Sequence, residues 1–235
     1  MDNDDHRVGQ LLSRRSALRV LGGAALGTGW LTGSGSKAQS SLPSCVVRPA
    51  LMEGPFFVDE KLNRSDVRSD SHSGEVRPGV PLVLTFWVSQ VRPGACSPLP
   101  GVMVDIWHCD ALGAYSGVEA NRTVGQDFLR GYQVTAQDGG AKFTAIYPGW
   151  YPGRAVHIHF KLRYRGTEFT SQLFFPEEVT DQVHATQPYA RKGPRNTPNA
   201  RDSLYRNGGH QLLLSLRGSP SQGYTAGFDV GMNLG

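Results

Sequence analysis

Two histidines alternate with apolar residues in Ala155-Val156-His157-Ile158-His159-Phe160-Lys161-Leu162. If this run is a β-strand, its side chains point to two faces in turn, so Val156, Ile158, Phe160 and Leu162 share one face and both imidazoles the other. At ~3.3 Å per residue the two histidines stand roughly 6.6 Å apart along the backbone, which suits two neighbouring ligands of one metal ion. A polar strand face also produces His-x-His by chance, so the pair needs support from its surroundings.

Two tyrosines supply that support. Tyr147-Pro148-Gly149-Trp150-Tyr151-Pro152-Gly153-Arg154 is a turn framed by Pro and Gly that leads straight into the histidine run and can hold Tyr151 beside it. Earlier, Asp105-Ile106-Trp107-His108-Cys109-Asp110 runs from an apolar stretch into a loop that ends in Tyr115-Ser116-Gly117. A single tyrosine is more often a packing residue. Two phenolates with two imidazoles, however, make a hard-donor set that suits Fe(III) better than softer or redox-inert ions.

These residues need strands to carry them. Runs of strand length recur at 81–90, 101–107, 129–136, 142–147, 155–164, 169–175, 211–216 and 224–232, separated by Gly, Pro and Asp turns. Eight short strands in 235 residues, with 29 Gly and 15 Pro, predict a mostly β, single-domain β-sandwich. A short helix is expected over Glu177–Thr186, and Gln187–Gly209 is a long polar loop of the kind that packs over a site or moves. Met52 to Phe57 reads as irregular chain and Asn63 to Gly79 as polar loop. The expected organisation is therefore a leader at 1–38, a linker and lead-in segment at 39–80, and the sandwich with its loops around a metal site at 81–235.

With the motifs and their order in place, the sequence resembles the intradiol ring-cleavage dioxygenases, the family that includes catechol and protocatechuate dioxygenases. The resemblance rests on Glu53-Gly54-Pro55-Phe56-Phe57, on Val104 to His108 with Tyr115-Ser116-Gly117, and on Phe128-Leu129-Arg130-Gly131-Tyr132 through Tyr151 to His159 and Gln172. It implies one non-haem Fe(III) per chain, held by Tyr115, Tyr151, His157 and His159, with solvent completing the resting site. It also implies a dioxygenase that inserts both atoms of O2 into a catechol-type ring, cleaving between the hydroxyl-bearing carbons to a muconate-type diacid. Tyr151 corresponds to the tyrosinate that chelating substrate displaces. Arg154 matches the arginine that stabilises negative charge on the activated ring, the competing reading being a salt bridge at a strand start. Gln172 matches a glutamine that helps place substrate. His108 belongs by resemblance to a Trp-His structural corner, so packing is favoured over ligation, and His72, His184 and His210 are assigned no role.

One departure bears on substrate choice: five residues separate Tyr151 from His157, where the catechol and protocatechuate enzymes carry a longer insertion. The rim of the cleft is therefore remodelled. Catechol, hydroxyquinol, protocatechuate and larger plant phenols share the chelating diol, and pocket walls rather than ligands choose among them. The long N-terminal helical region associated with dimerising catechol enzymes is lacking, so pairing through that device is not expected. Two other readings compete. A cupin-type metalloenzyme expects a carboxylate four or five residues after the second histidine, where this chain has Arg163 and Tyr164. A secreted transthyretin-like binding module accounts for the strands but leaves both tyrosines, the arginine and His-x-His unexplained.

The first residues carry an address. Ser13-Arg14-Arg15-Ser16-Ala17-Leu18-Arg19 is a twin-arginine pattern, followed by a Gly-rich apolar stretch from Val20 to Leu31, and cleavage is expected after Ala38. The partner it implies is the twin-arginine translocation machinery, which delivers folded, cofactor-loaded protein to the periplasm or beyond. Arg19 and repeated glycines break the run short of the ~20 apolar residues a membrane span needs, and Pro43 argues against a lipid on Cys45. Removing residues 1–38 takes away five basic residues (Arg7, Arg14, Arg15, Arg19, Lys37) and three acidic ones (Asp2, Asp4, Asp5), so the formal charge falls from +4 to +2. No basic stripe with interleaved aromatics suggests nucleic acid. Cys45, Cys96 and Cys109 permit one disulfide in an oxidising compartment, and their spacing is unlike that of a zinc cluster.

Overall fold

The computed structural model describes residues 46–234, so the twin-arginine segment, its cleavage site and Cys45 lie outside the described residues. Nine strands are assigned there: β1 (Pro81–Arg92), β2 (Ala95–Pro98), β3 (Met103–Trp107), β4 (Arg130–Val134), β5 (Gly140–Ile146), β6 (His157–Tyr164), β7 (Thr167–Phe174), β8 (Leu216–Ser219) and β9 (Gly223–Asn233). They form two sheets. One runs β2-β1-β9-β8 with β5 also paired to β1, and the other runs β4-β3-β6-β7. The β1–β9 pair is parallel and the remaining strand pairs are antiparallel.

The core lies between the sheets and follows from alternation along each strand. Leu82, Leu84, Phe86 and Val88 of β1 point inward, as do Ile158, Phe160 and Leu162 of β6. Phe86 and Phe228 of the first sheet meet Phe160 of the second at centroid distances of 5.3 and 5.6 Å. The β6–β7 hairpin closes through Arg165-Gly166, whose φ angles of 48° and 81° are both positive, as a two-residue hairpin turn requires.

The opposite face of β6 is not left to solvent. All six residues from His157 to Leu162 are buried, because residues 51–64 lie across the outer side of the β4-β3-β6-β7 sheet. Leu51 N donates to Thr170 O at 3.1 Å, Arg163 reaches Asp59 at 2.9 Å and Asp105 at 2.8 Å, and Lys161 pairs with Glu53 while sitting 4.3 Å from the Phe57 ring centroid. The lead-in segment is irregular in backbone and integral in packing.

Two strand expectations are corrected. Residues 211–216 are not a strand: Gly209–Leu212 is a 3-10 turn and the strand begins at Leu216. Leu212 and Leu214 are buried, which mimics strand alternation, but the segment makes an isolated bridge at Leu213 to Phe174 rather than a ladder. The extra strand β2 follows a Pro93-Gly94 turn with Gly94 at φ 75° and has little apolar pattern to announce it. The expected short helix is α1 (Glu177–His184), and the long loop after it contains 3-10 turns at 189–192 and 199–201 and a short helix α2 (Ser203–Arg206). Cys96 is disulfide-bonded, and Cys109 is a buried free thiol. No helix of the described residues is long and apolar enough to cross a membrane.

Candidate metal centre

Register brings the candidate residues together. In the β3–β6 and β6–β7 ladders His159 is flanked by Trp107 on one side and Gln172 on the other, so the three side chains share the outer face of that sheet. Trp107 stacks on the His159 ring at 4.9 Å and 9°. His157 donates from Nδ1 to Ala155 O at 2.6 Å, which fixes the tautomer and leaves Nε2 as a bare lone pair. That lone pair faces His159 Nε2 at 3.0 Å and the Tyr151 hydroxyl at 3.1 Å.

Tyr115 completes the cluster from the loop after β3. Its ring lies 5.7 Å from Tyr151 and 6.2 Å from His159, and Phe56 of the lead-in segment stacks on it at 4.6 Å. Its backbone is pinned by Asn121 Oδ1, which accepts from Tyr115 N at 2.9 Å, and by Thr123 Oγ1, which donates to Tyr115 O at 2.5 Å. Buried Arg130 braces the same loop from β4, donating to Ser116 Oγ at 2.8 Å, Ser116 O at 2.6 Å and Phe56 O at 2.7 Å.

Two glycines let the tyrosine-bearing segments abut. A Cβ on Gly149 would lie 2.5 Å from the carbonyl oxygens of Asp110 and Ala111, and one on Gly113 would lie 2.1 Å from Trp150 O. Gly113 also has φ 86°, in the left-handed region.

Burial dominates the electrostatics. It pushes Tyr151 up to about 12 and Tyr115 well above the usual phenol range, and it lowers His157 to about 3 and His159 well below the ordinary imidazole range. All four groups are thus neutral at neutral pH in the metal-free chain, and the imidazoles are in the form that ligates. Among the described residues, the buried polar atoms without a hydrogen-bond partner concentrate at Trp107, His108, Tyr115 and His159. A buried phenol oxygen beside the His157 lone pair and the facing His159 Nε2 is an arrangement that a metal ion would satisfy. His108 behaves as a packing residue: it is fully buried, bonds Cys109 O through Nδ1 at 2.9 Å, and is lowered by burial to about 4.

Arg154 and Gln172 are adjacent to the cluster. Arg154 Nη2 donates to Gln172 Oε1 at 2.5 Å, and Gln172 Nε2 donates to Met52 O at 2.8 Å. Arg154 Nε also binds Asp202 at 2.8 Å. Sequence reasoning missed Asp202 and the stacking role of Phe56. Phe56 lay within a recognised motif, whereas nothing local singles out Asp202.

The sequence pattern of a family described as Dioxygenase matches residues 52–204. An intradiol ring-cleavage dioxygenase from Tetranychus urticae superposes with a TM-score of 0.72 at 28% identity, covering 80% of this chain and 95% of that one. The chain belongs to the intradiol ring-cleavage dioxygenase family. Among curated relatives, a catechol 1,2-dioxygenase from Pseudomonas sp. (strain EST1001) is 31% identical over 74% of this chain and 64% of its own length. A chlorocatechol 1,2-dioxygenase from Pseudomonas putida is 27% identical over 62% of this chain and 57% of its own. The chain therefore spans less than two thirds of these two curated relatives.

A second group of potential ligands in this intradiol family member, Asp70, His72 and Asp127, lies in the lead-in segment and the loop before β4. Asp70 accepts from Ser73 N, Ser73 Oγ, His72 N and Asp127 N, and Asp127 accepts from Ser71 N, Ser71 Oγ and Arg64. These carboxylates are committed to tying loops together. The cupin-type positions Arg163 and Tyr164 offer no carboxylate, and Arg163 is engaged with Asp59 and Asp105.

Proposed function

We propose that this protein is a non-haem Fe(III) dioxygenase that cleaves a catechol-type ring between its two hydroxyl-bearing carbons, incorporating both atoms of O2 and giving a muconate-type diacid. The observation that carries the reading is the convergence of His157 Nε2, His159 Nε2 and the Tyr151 hydroxyl within 3.0–3.1 Å steps, with the buried, unpartnered hydroxyl of Tyr115 beside them. Tyr115, Tyr151, His157 and His159 would hold the metal. When bound, ferric iron offers a chelation point for both catechol oxygens and makes the ring electron-rich toward O2.

This chain's own residues do the rest. His157 is kept as a ligand by Ala155 O, and His159 by the Trp107 ring laid against it. Tyr151 is the more exposed phenol and sits on a turn, so it is the ligand that an incoming diol would displace, and its oxygen would then take a proton from that diol. Arg154, held by Asp202 and Gln172, would present its guanidinium to charge that develops on the ring. Gln172 holds one edge of that guanidinium.

The test is a spectrum. Purified protein loaded with iron is expected to hold about one Fe(III) per chain and to show the broad visible band of tyrosinate-to-iron charge transfer, with catechol converted to a diacid absorbing in the ultraviolet. Tightly held zinc with no visible band after iron loading, or a ring-opened semialdehyde as product, would overturn the proposal.

We propose further that the chain is exported by the twin-arginine route, from the pattern at residues 13–19. Exchanging Arg14 and Arg15 together for lysine is expected to leave folded precursor inside the cell. Normal accumulation of that double variant outside the cytoplasm would rule the route out.

A further inference from the structure

Arg154 is held by a residue 48 positions away that no local motif marks. Asp202 is 1% exposed and sits at the start of α2, the short helix in the long loop after α1. Its two oxygens are divided between two tasks. Oδ1 caps the helix, accepting from Leu204 N at 2.7 Å and Tyr205 N at 3.1 Å. Oδ2 crosses to the metal-strand turn, accepting from Arg154 Nε at 2.8 Å and from Ala155 N at 2.8 Å. Burial works against ionisation of Asp202, but the Ala155 amide and the Arg154 charge outweigh it and keep the carboxyl below its ordinary range.

A helix cap uses Oδ1 alone, so capping does not account for Oδ2. What Oδ2 reaches is the five-residue stretch between Tyr151 and His157. That stretch has little backbone support of its own: Arg154 N approaches Tyr151 O at a long 3.5 Å. Asp202 binds Arg154 and Ala155 together, and Ala155 O in turn orients His157. With Nε on Asp202 and Nη2 on Gln172, two edges of the guanidinium plane are fixed. Nη1 has no hydrogen-bond partner among the described residues.

We propose that Asp202 is the positioning residue for Arg154, clamping its guanidinium toward the metal centre and supplying, from the long loop, support that the turn's own backbone does not give. The inference rests on the dioxygenase reading above. It makes that loop part of the site rather than a cover.

The test uses the full chain loaded with iron. Asp202→Asn can keep its oxygen on the α2 amides and turn its NH2 toward Arg154, so the cap survives and the clamp is lost. Asp202→Ser, also a good cap but too short to reach Arg154, serves if the first variant does not fold. Each is expected to lower kcat on catechol about 10- to 100-fold, the scale of a displaced catalytic group, with parent iron content and resting visible band. In an Arg154→Ala background the same change is expected to leave kcat where Arg154→Ala alone puts it. In the metal-free chain, the Arg154 Nε–H nuclear magnetic resonance signal is expected to be protected from solvent exchange in the parent and unprotected in either variant. Parent kcat in both Asp202 variants, an equal loss with Arg154 absent, or an unprotected Nε–H in the parent would overturn the inference while leaving the dioxygenase reading intact. A parent without ring cleavage would remove both.

Discussion

Tyr115 and Tyr151 offer the same phenol from different surroundings, and the difference assigns their tasks. Tyr115 is 1% exposed, stacked on Phe56, and pinned at its backbone by Asn121 and Thr123. Tyr151 is half-buried on a turn bounded by Pro148, Gly149, Pro152 and Gly153. Burial raises both above the ordinary phenol range, so neither is anionic at neutral pH unless a cation compensates it. Tyr151→Phe is therefore expected to retain most of the iron on three remaining ligands while weakening the visible band and slowing turnover. Tyr115→Phe removes the pinned ligand and is expected to lose most iron on dialysis. The measurements are iron per chain and the visible spectrum of each variant. An unchanged resting band in Tyr151→Phe, or full iron retention with a parent spectrum in Tyr115→Phe, would show that the phenol concerned is not a ligand.

At the scale of elements, what sequence conveys is what alternation conveys. The apolar face of β6, its histidine face and most strand positions follow from a period of two, and the structure has the sandwich that pattern predicts. The candidate residues Tyr115, Tyr151, Arg154, His157, His159 and Gln172 stand out in sequence because they lie in short motifs, and the fold brings them together on one side of one sheet. Three features were not legible. Met52 to Phe57 read as irregular chain and Asn63 to Gly79 as polar loop, yet residues 51–64 cover the histidine face through single long-range contacts such as Arg163 with Asp59, which leave no period in the sequence. Residues 211–216 carry a strand-like alternation because Leu212 and Leu214 point into the core, although no ladder forms there. Asp202 lies in a polar loop and gains its meaning from Arg154, 48 residues away. Pairings of that kind depend on tertiary approach, and local periodicity carries no record of them.

At the largest scale, the lead-in segment and the sheets lie in one compact unit, and Asp70 is one of the joints. It is 3% exposed, collects the amides of His72 and Ser73 within its own turn, and accepts from Asp127 N at 2.8 Å in the loop before β4. Burial opposes its charge, but the amides of Ser73 and Asp127 outweigh it and bring Asp70 from 3.8 down to about 2. A carboxyl whose folded value is depressed contributes stability that is present in full above its unfolded value and is lost as pH falls through the folded one. For Asp70 the window runs from 3.8 to about 2. Asp70→Asn is therefore expected to be less stable than the parent by about 1–2 kcal/mol at pH 5. The gap should narrow as pH drops through that window, because protonation removes the same charge from the parent. Other carboxyls titrate alike in both proteins and cancel in the difference. Denaturant midpoints of the metal-free proteins at a series of pH values measure this, and a gap that stays constant from pH 5 to pH 2 would show that the charge of Asp70 does not hold the lead-in segment to the sandwich.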